Sequence, residues 1–313
     1  MTVDFLWKSS LILKFQSSIL NFFKGASMQI LQGADPFILL YNGKYYCYPT
    51  SDSHNGYIVY ESDDLIHWTD KGHCLIKDDV MGEDGFWAPE VTYYNGKFYM
   101  VYTADLHLGI AVADSPLGPF RQKEKRWLFD HRAIDGSFFI DDNGRAYLYY
   151  VGYNNPGGPI CVNELTEDLM GVKSEQKVLI RPESSWELMT AYEYEGKTLC
   201  VTEGPFMLKH NGTYYLSYSA NDYQSPFYAI GYATSDSPMG NFVKYENNPI
   251  LIGNGRVQGT GHHCFTTTKD GKNLICVYHT HSSATEIHPR VTHISDARFI
   301  EKNGKTILEI DAP

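Results

Sequence analysis

Three stretches of the chain set an acidic side chain beside glycine or proline: GADPF with Asp35, IDGSFF with Asp135 and TEGPF with Glu203. Two more, FWAPEV and GTGHHC, have similar surroundings but present Trp87 and His262. Carboxyl and imidazole groups are the side chains that give and take protons near neutral pH. Alone, an Asp-Pro or a Glu-Gly reads equally well as a carboxylate capping a loop. The spacing argues for a set. Asp35 lies seven residues before Asn42, while Trp87, Asp135, Glu203 and His262 lie eight before Asn95, Asn143, Asn211 and Asp270. Pro36, Pro89 and Pro205 each fall six before their turns, so the segments align without gaps.

The elements that must carry these residues follow from the turns. Asn42, Asn95, Asn143, Asn211 and Asp270 are each followed by Gly, a polar or basic residue and an apolar run, as in NGKYYCYPTS and NGTYYLSYSA. Asn-Gly and Asp-Gly accept the two positive φ values of a type I′ turn, so each pair predicts a hairpin. In the first four copies a third strand-like segment follows, such as LGIAVADSPLGPF. The turns are spaced by 53, 48, 68 and 59 residues. Units of this length with three or four short strands are propeller blades, and five of them predict an all-β, five-bladed β-propeller. The competing arrangement is a β-sandwich with coincidental hairpins. In a propeller the first strand of each blade lines the axis, which brings Asp35, Trp87, Asp135, Glu203 and His262 together. Charges gathered in a cavity are costly to hold without a task. Glu90, out of alternation with its neighbours, reads as structural. Asp141, Asp142 and Asp270 read as turn residues, and His263, His279 and His281 as structural or rim residues.

Composition narrows the partners. The 26 basic and 37 acidic residues give a net charge of −11, and no Lys/Arg run occurs, which argues against a nucleic-acid partner. An uncharged substrate such as a sugar is compatible with that balance. Six cysteines without a CxxC pair read as buried free thiols in a reducing compartment. Residues 1–27 stand apart from the repeats. They read as a short amphipathic helix or as sequence upstream of a start at Met28. Their apolar run is too short and too broken by Lys8 and Lys14 for a membrane span, and Asp4 suits no export signal. The propeller is therefore expected over residues 28–313, without a C-terminal β-sandwich or second domain, in a cytoplasmic protein.

The motifs ADPF, WAPEV, IDGSFF, TEGP and GTGHH, in that order over about residues 28–300, resemble glycoside hydrolase family 43. The resemblance implies a five-bladed propeller and an inverting glycosidase acting on arabinose- or xylose-containing plant saccharides. It implies that Asp35 is the general base, Glu203 the general acid and Asp135 the carboxylate that tunes and orients that acid. It further implies that His262 faces a bound calcium or other cation through water, and that Arg290 of HPRVTH reaches the sugar. Trp87 offers an apolar face to a sugar ring. Inversion needs acid and base carboxyls about 6.5–9.5 Å apart, and a protonated Glu203 with a raised pKa. An ionised Asp135 nearby supplies that shift by repulsion. Without the C-terminal sandwich of large xylosidases, the expectation is an exo-acting arabinofuranosidase or compact xylosidase, with endo-arabinanase as the runner-up. A non-catalytic sugar-binding propeller or an interaction scaffold would have no need of three axial carboxylates.

Overall fold

The structure, a computed structural model, describes residues 27–154, 157–194 and 197–313. The separate reading given to residues 1–27 falls, apart from Ser27, outside the described residues. Five antiparallel sheets surround one axis. Their inner strands are Ala34–Tyr41, Trp87–Tyr94, Ala133–Ile140, Thr202–His210 and Gly261–Thr267. Each inner strand touches the inner strands of both neighbouring blades, which closes a five-membered ring. The expected propeller is therefore the observed fold.

Hairpin chemistry matches the expectation at three of the five turns. Asn42-Gly43, Asn95-Gly96 and Asn211-Gly212 all have positive φ at both residues, as type I′ turns require. At Asn143 and Asp270 only the glycine has positive φ. There the strands end earlier, at Ile140 and Thr267, and resume at Ala146 and Leu274. The longer loops close instead through Asp141 N–H to Arg145 C=O and Thr268 N–H to Asn273 C=O. A further Asn-Gly, Asn303-Gly304, turns Val291–Lys302 back into Lys305–Ile310.

Blade 5 is closed by a distant strand. Met28–Gln32 pairs antiparallel with Val291–Lys302 and forms the outer edge of the last sheet. Gly33 N–H donates to Arg290 C=O at 3.1 Å, and the Thr292 hydroxyl donates to Gly33 C=O at 3.0 Å. The first blade thus leaves directly from the seam of the ring.

The apolar core is divided into five interblade layers rather than one centre. Tyrosine suits such layers because its ring packs while its hydroxyl reaches a backbone carbonyl at the layer's edge. Tyr48, Tyr102 and Tyr149, all fully buried, donate to the carbonyls of Pro116, Met81 and Pro238 at 2.6, 2.8 and 2.7 Å. All six cysteines are free, and five are buried.

Candidate active site

Every inner strand carries a β-bulge near its start. In blade 1 the pairing jumps from Ala34–Thr50 to Phe37–Tyr48, so two residues oppose one. Equivalent jumps follow Trp87, Ile134, Glu203 and Gly261. One bulge residue in each strand is left-handed: Asp35, Ala88, Asp135, Gly204 and His262, with φ of 47°, 44°, 57°, 54° and 44°. Proline follows three of these five, at a place where the ladder needs no donor. A left-handed residue other than glycine costs about 1–3 kcal/mol, and such strain gathers where the surroundings hold it.

Interblade hydrogen bonds hold it here. The Ala88 amide donates to Thr50 Oγ1 at 2.9 Å, Asp135 to Thr103 Oγ1 at 3.2 Å, and His262 to Ser219 Oγ at 2.8 Å. Asp35 N–H donates to His279 Nδ1 at 3.2 Å. Each acceptor sits at the end of the second strand of the preceding blade. In blade 3 the corresponding residue is Val151, which has no polar atom to offer. The Gly204 amide instead donates to Asp135 Oδ2 at 3.1 Å.

The bulges also correct the phase expected from spacing. Asp35, Asp135 and His262 occupy the left-handed position, but Trp87 and Glu203 stand one residue earlier, paired with Thr103 and Ser219. Counting back from turns of unequal loop length merged two adjacent positions. Glu203 still reaches the axial cluster, because Gly204 ties its strand to Asp135 and Tyr228 Oη donates to Glu203 Oε1 at 2.7 Å. Trp87 lies at the rim, 37% exposed.

Asp35, Asp135 and His262 meet directly. His262 Nδ1 is 3.5 Å from Asp35 Oδ1 and 3.9 Å from Asp135 Oδ2. Arg290 Nη1 donates to Asp35 Oδ1 at 2.8 Å, and its guanidinium stacks 4.4 Å over the Tyr223 ring. His279 Nδ1 also lies 3.1 Å from Asp35 Oδ1. A nitrogen that accepts the Asp35 amide cannot at the same time donate to its carboxylate. Burial and then Arg290 push the His279 pKa down to about 3, so its ring is neutral and Arg290 supplies the nearest charge.

The acidic groups are driven apart. Burial opposes ionisation of Asp35, but Arg290 and then His262 outweigh it and hold the carboxyl well below the usual range. Burial, and second to it the charge of Asp135, lift Glu203 well above its usual value, while the Tyr228 bond pulls the other way. Burial raises Asp135 as well, with His262 opposing and Asp35 reinforcing the rise. Repulsion from Asp135 thus contributes to the Glu203 shift, but desolvation is the larger cause.

A cavity of about 630 Å³ opens beside Arg290, lined by Thr50, Trp87, Tyr223 and His288 among others. Arg290 Nε is buried there without a hydrogen-bond partner. Below the carboxyls a much smaller axial cavity, about 20 Å³, reaches Glu90, Ser137 and His263. Glu90 is structural, as expected: its Oε1 accepts the Phe138 amide at 2.7 Å, and burial pushes its pKa up to about 8. His263 bonds Ser217 Oγ at 2.7 Å and is pushed down to about 3 by burial.

Two residues of the cluster escaped the sequence reading. His279 was set aside as a structural or rim residue, yet it touches Asp35. Tyr228 was not singled out, because it lies outside the inner strands and one tyrosine is hidden among 24. The one available signal for His279 was its position at the end of a second strand, where Thr50, Thr103 and Ser219 also stand.

Comparison with known proteins gives a consistent picture. The profile described as Glycosyl hydrolases family 43 matches residues 29–303. A beta-D-galactofuranosidase from Aspergillus niger is 30% identical, covering 86% of this chain and 80% of its own. A xylosidase/arabinosidase from Bacteroides ovatus is 28% identical, covering 67% of this chain and 76% of its own. A solved structure described as an endo-1,4-beta-xylanase from Bacteroides thetaiotaomicron superposes with a TM-score of 0.83 at 42% identity, over 90% of this chain and 94% of that one.

Proposed function

The chain belongs to glycosyl hydrolases family 43 and is on that ground a glycosidase, and from this we propose an inverting hydrolysis with Asp35 as base and Glu203 as acid. The observation that carries the reading is the opposite push on two carboxyls of one cluster. Arg290 keeps Asp35 ionised, while burial and Asp135 keep Glu203 protonated. A pair whose surroundings separate its pKa values is what a single acid–base displacement needs.

The step balances as follows. Asp35 takes a proton from water as the water oxygen bonds to the anomeric carbon. The bond from that carbon to the glycosidic oxygen breaks, and its electron pair leaves with the oxygen. Glu203 gives that oxygen its proton. Asp35 ends protonated and Glu203 ionised, and exchange with solvent restores both. Asp135, bonded to the Gly204 amide next to the acid, orients Glu203 and raises its pKa. Trp87 supplies a flat face for a sugar ring, and Arg290, which lines the same cavity, supplies the guanidinium that reaches the sugar.

The substrate in this reading is an arabino- or xylo-oligosaccharide, cleaved from its end as by an α-L-arabinofuranosidase or β-xylosidase. Endo cleavage is the second reading. The 630 Å³ cavity is lined by Trp87, Arg290, Gln32 and Tyr60, and a volume of that order takes a ligand larger than one sugar ring. One panel decides: aryl glycosides, linear and branched arabino- and xylo-oligosaccharides, and a β-galactofuranoside, with the product anomer followed by NMR. An inverted anomer supports the mechanism; retention sinks it.

A calcium ion takes six to eight oxygen ligands. No group of three or more His, Cys, Asp or Glu side chains among the described residues is arranged to hold a metal. The axial cavity of about 20 Å³ has room for about one water, not for a hydrated ion. The described residues thus offer no direct cage of such side chains beside His262, and no step is routed through an ion.

A further inference from the structure

Tyr228 is fixed on every side. It is fully buried, and its ring stacks on His279 with centroids 5.5 Å apart and planes 16° from parallel. Its carbonyl accepts the Thr260 hydroxyl at 3.3 Å. Gly261 lies against the ring so closely that a Cβ there would come within 2.2 Å of it. Glycine at 261 is therefore what admits the ring. The hydroxyl ends 2.7 Å from Glu203 Oε1, its one recorded partner among the described residues.

We propose that Tyr228 is a positioning residue that dictates which oxygen of Glu203 carries the transferable proton. The inference rests on the reading of Glu203 as the acid. A phenol has one hydrogen, and burial pushes the Tyr228 pKa well above its usual value, so that hydrogen stays. If it pointed away from Glu203 it would be buried without an acceptor, which is costly. The hydroxyl therefore donates to Oε1. Oε1 acts as acceptor, and the acidic proton sits on Oε2.

This arrangement aids the chemistry as well as the geometry. The Oε2–H bond breaks as the glycosidic oxygen gains its proton, and negative charge appears on the carboxylate. The Tyr228 bond then becomes charge-assisted and strengthens as the proton leaves. A contact that strengthens along the reaction lowers the barrier rather than only tightening binding. Through the His279 stack, the same tyrosine is braced against the base, since His279 holds the Asp35 amide.

The test is Tyr228→Phe, which keeps the ring, the stack and the contact with Gly261. The hydroxyl stabilises the ionised form of Glu203, so its loss raises that pKa. The alkaline limb of kcat/KM moves to higher pH. On an unactivated oligosaccharide kcat/KM falls about tenfold, the worth of one hydrogen bond to a charged group. On a glycoside with a strongly acidic aryl leaving group, which needs little protonation, it falls by about threefold or less. Equal losses on both substrates with an unmoved limb overturn the proposal. Should the variant not fold, 3-fluorotyrosine at 228, whose single fluorine can take the edge away from Gly261, keeps the hydroxyl and makes a stronger donor, so the limb moves to lower pH; an unmoved limb again overturns it. Glu203→Gln separates the two levels. If it is inactive on the oligosaccharide while Tyr228→Phe is unaltered, only the role of Tyr228 fails. If it stays active, the acid assignment itself fails.

Discussion

Gly204 donates its backbone N–H to Asp135 Oδ2 at 3.1 Å, joining the residue after Glu203 to the carboxylate that repels it. At the other four bulges a side chain of the preceding blade accepts the corresponding amide. Val151 leaves this amide free for Asp135. The geometry of the third carboxyl thus comes from a gap in an otherwise regular pattern.

Asp135→Asn keeps an acceptor for that amide and removes only the charge. In the proposed mechanism Glu203 works protonated, and loss of a like charge lowers its pKa. The alkaline limb of kcat/KM therefore shifts to lower pH, and kcat/KM on an oligosaccharide falls by about 10²-fold, within the range of general acid catalysis. A pH profile of the variant checks both; a limb that stays in place rules out the electrostatic role.

Arg290→Met tests the opposite end of the pair. In the same mechanism Asp35 works ionised, and Arg290 is the foremost group holding its pKa down against burial. Without the guanidinium the pKa rises, and the acidic limb of the profile moves to higher pH. Turnover falls by about 10²-fold at neutral pH. If only KM changes and the limb does not move, Arg290 contacts substrate without acting on Asp35.

Stability away from the site depends on Asp141, which joins blades 3 and 4. Its Oδ1 meets Lys209 Nζ at 2.6 Å, and its Oδ2 accepts the Tyr214 hydroxyl at 2.7 Å. Asp141→Ala leaves the buried Tyr214 hydroxyl without its acceptor and Lys209 with Asp142 alone, at 2.8 Å, and should cost about 1–3 kcal/mol. Burial opposes ionisation of Asp141, but Lys209 and Tyr214 outweigh it and lower its pKa. The stabilisation is present above the ordinary carboxylate pKa and is lost as pH falls through the lowered value. Denaturant midpoints at pH 7 and pH 3 measure this, with the gap between wild type and variant narrowing at the lower pH.

Exhaustive chelation should leave both melting temperature and turnover unchanged, since no described residues form a calcium cage. A fall in either would overturn that expectation and show that an ion is bound.

Much of this architecture is legible in the sequence because each blade begins with a local signal. Three Asn-Gly turns set both positive φ values where expected, and the strands before all five expected turns line the axis. Asp35, Asp135, Glu203, His262 and Arg290 were named from motifs and do converge. What the sequence hides is non-local. Met28–Gln32 has no turn of its own, and its partner strand lies more than 250 residues further on. Bulges shift the phase by one residue, so Glu203 and Asp135 seem equivalent when they are not. Tyr228 reaches the acid only because Gly261, on the next blade, leaves room for it.

The strand that seals the ring ends one residue short of Ala34, and the cation that keeps Asp35 ionised stands just before its partner strand. Until that clasp fastens, Asp35 has neither its place in the ring nor the cation that keeps its carboxylate ionised once it is buried. In the proposed mechanism, the base is thus assembled by the same seam that closes the fifth blade onto the first.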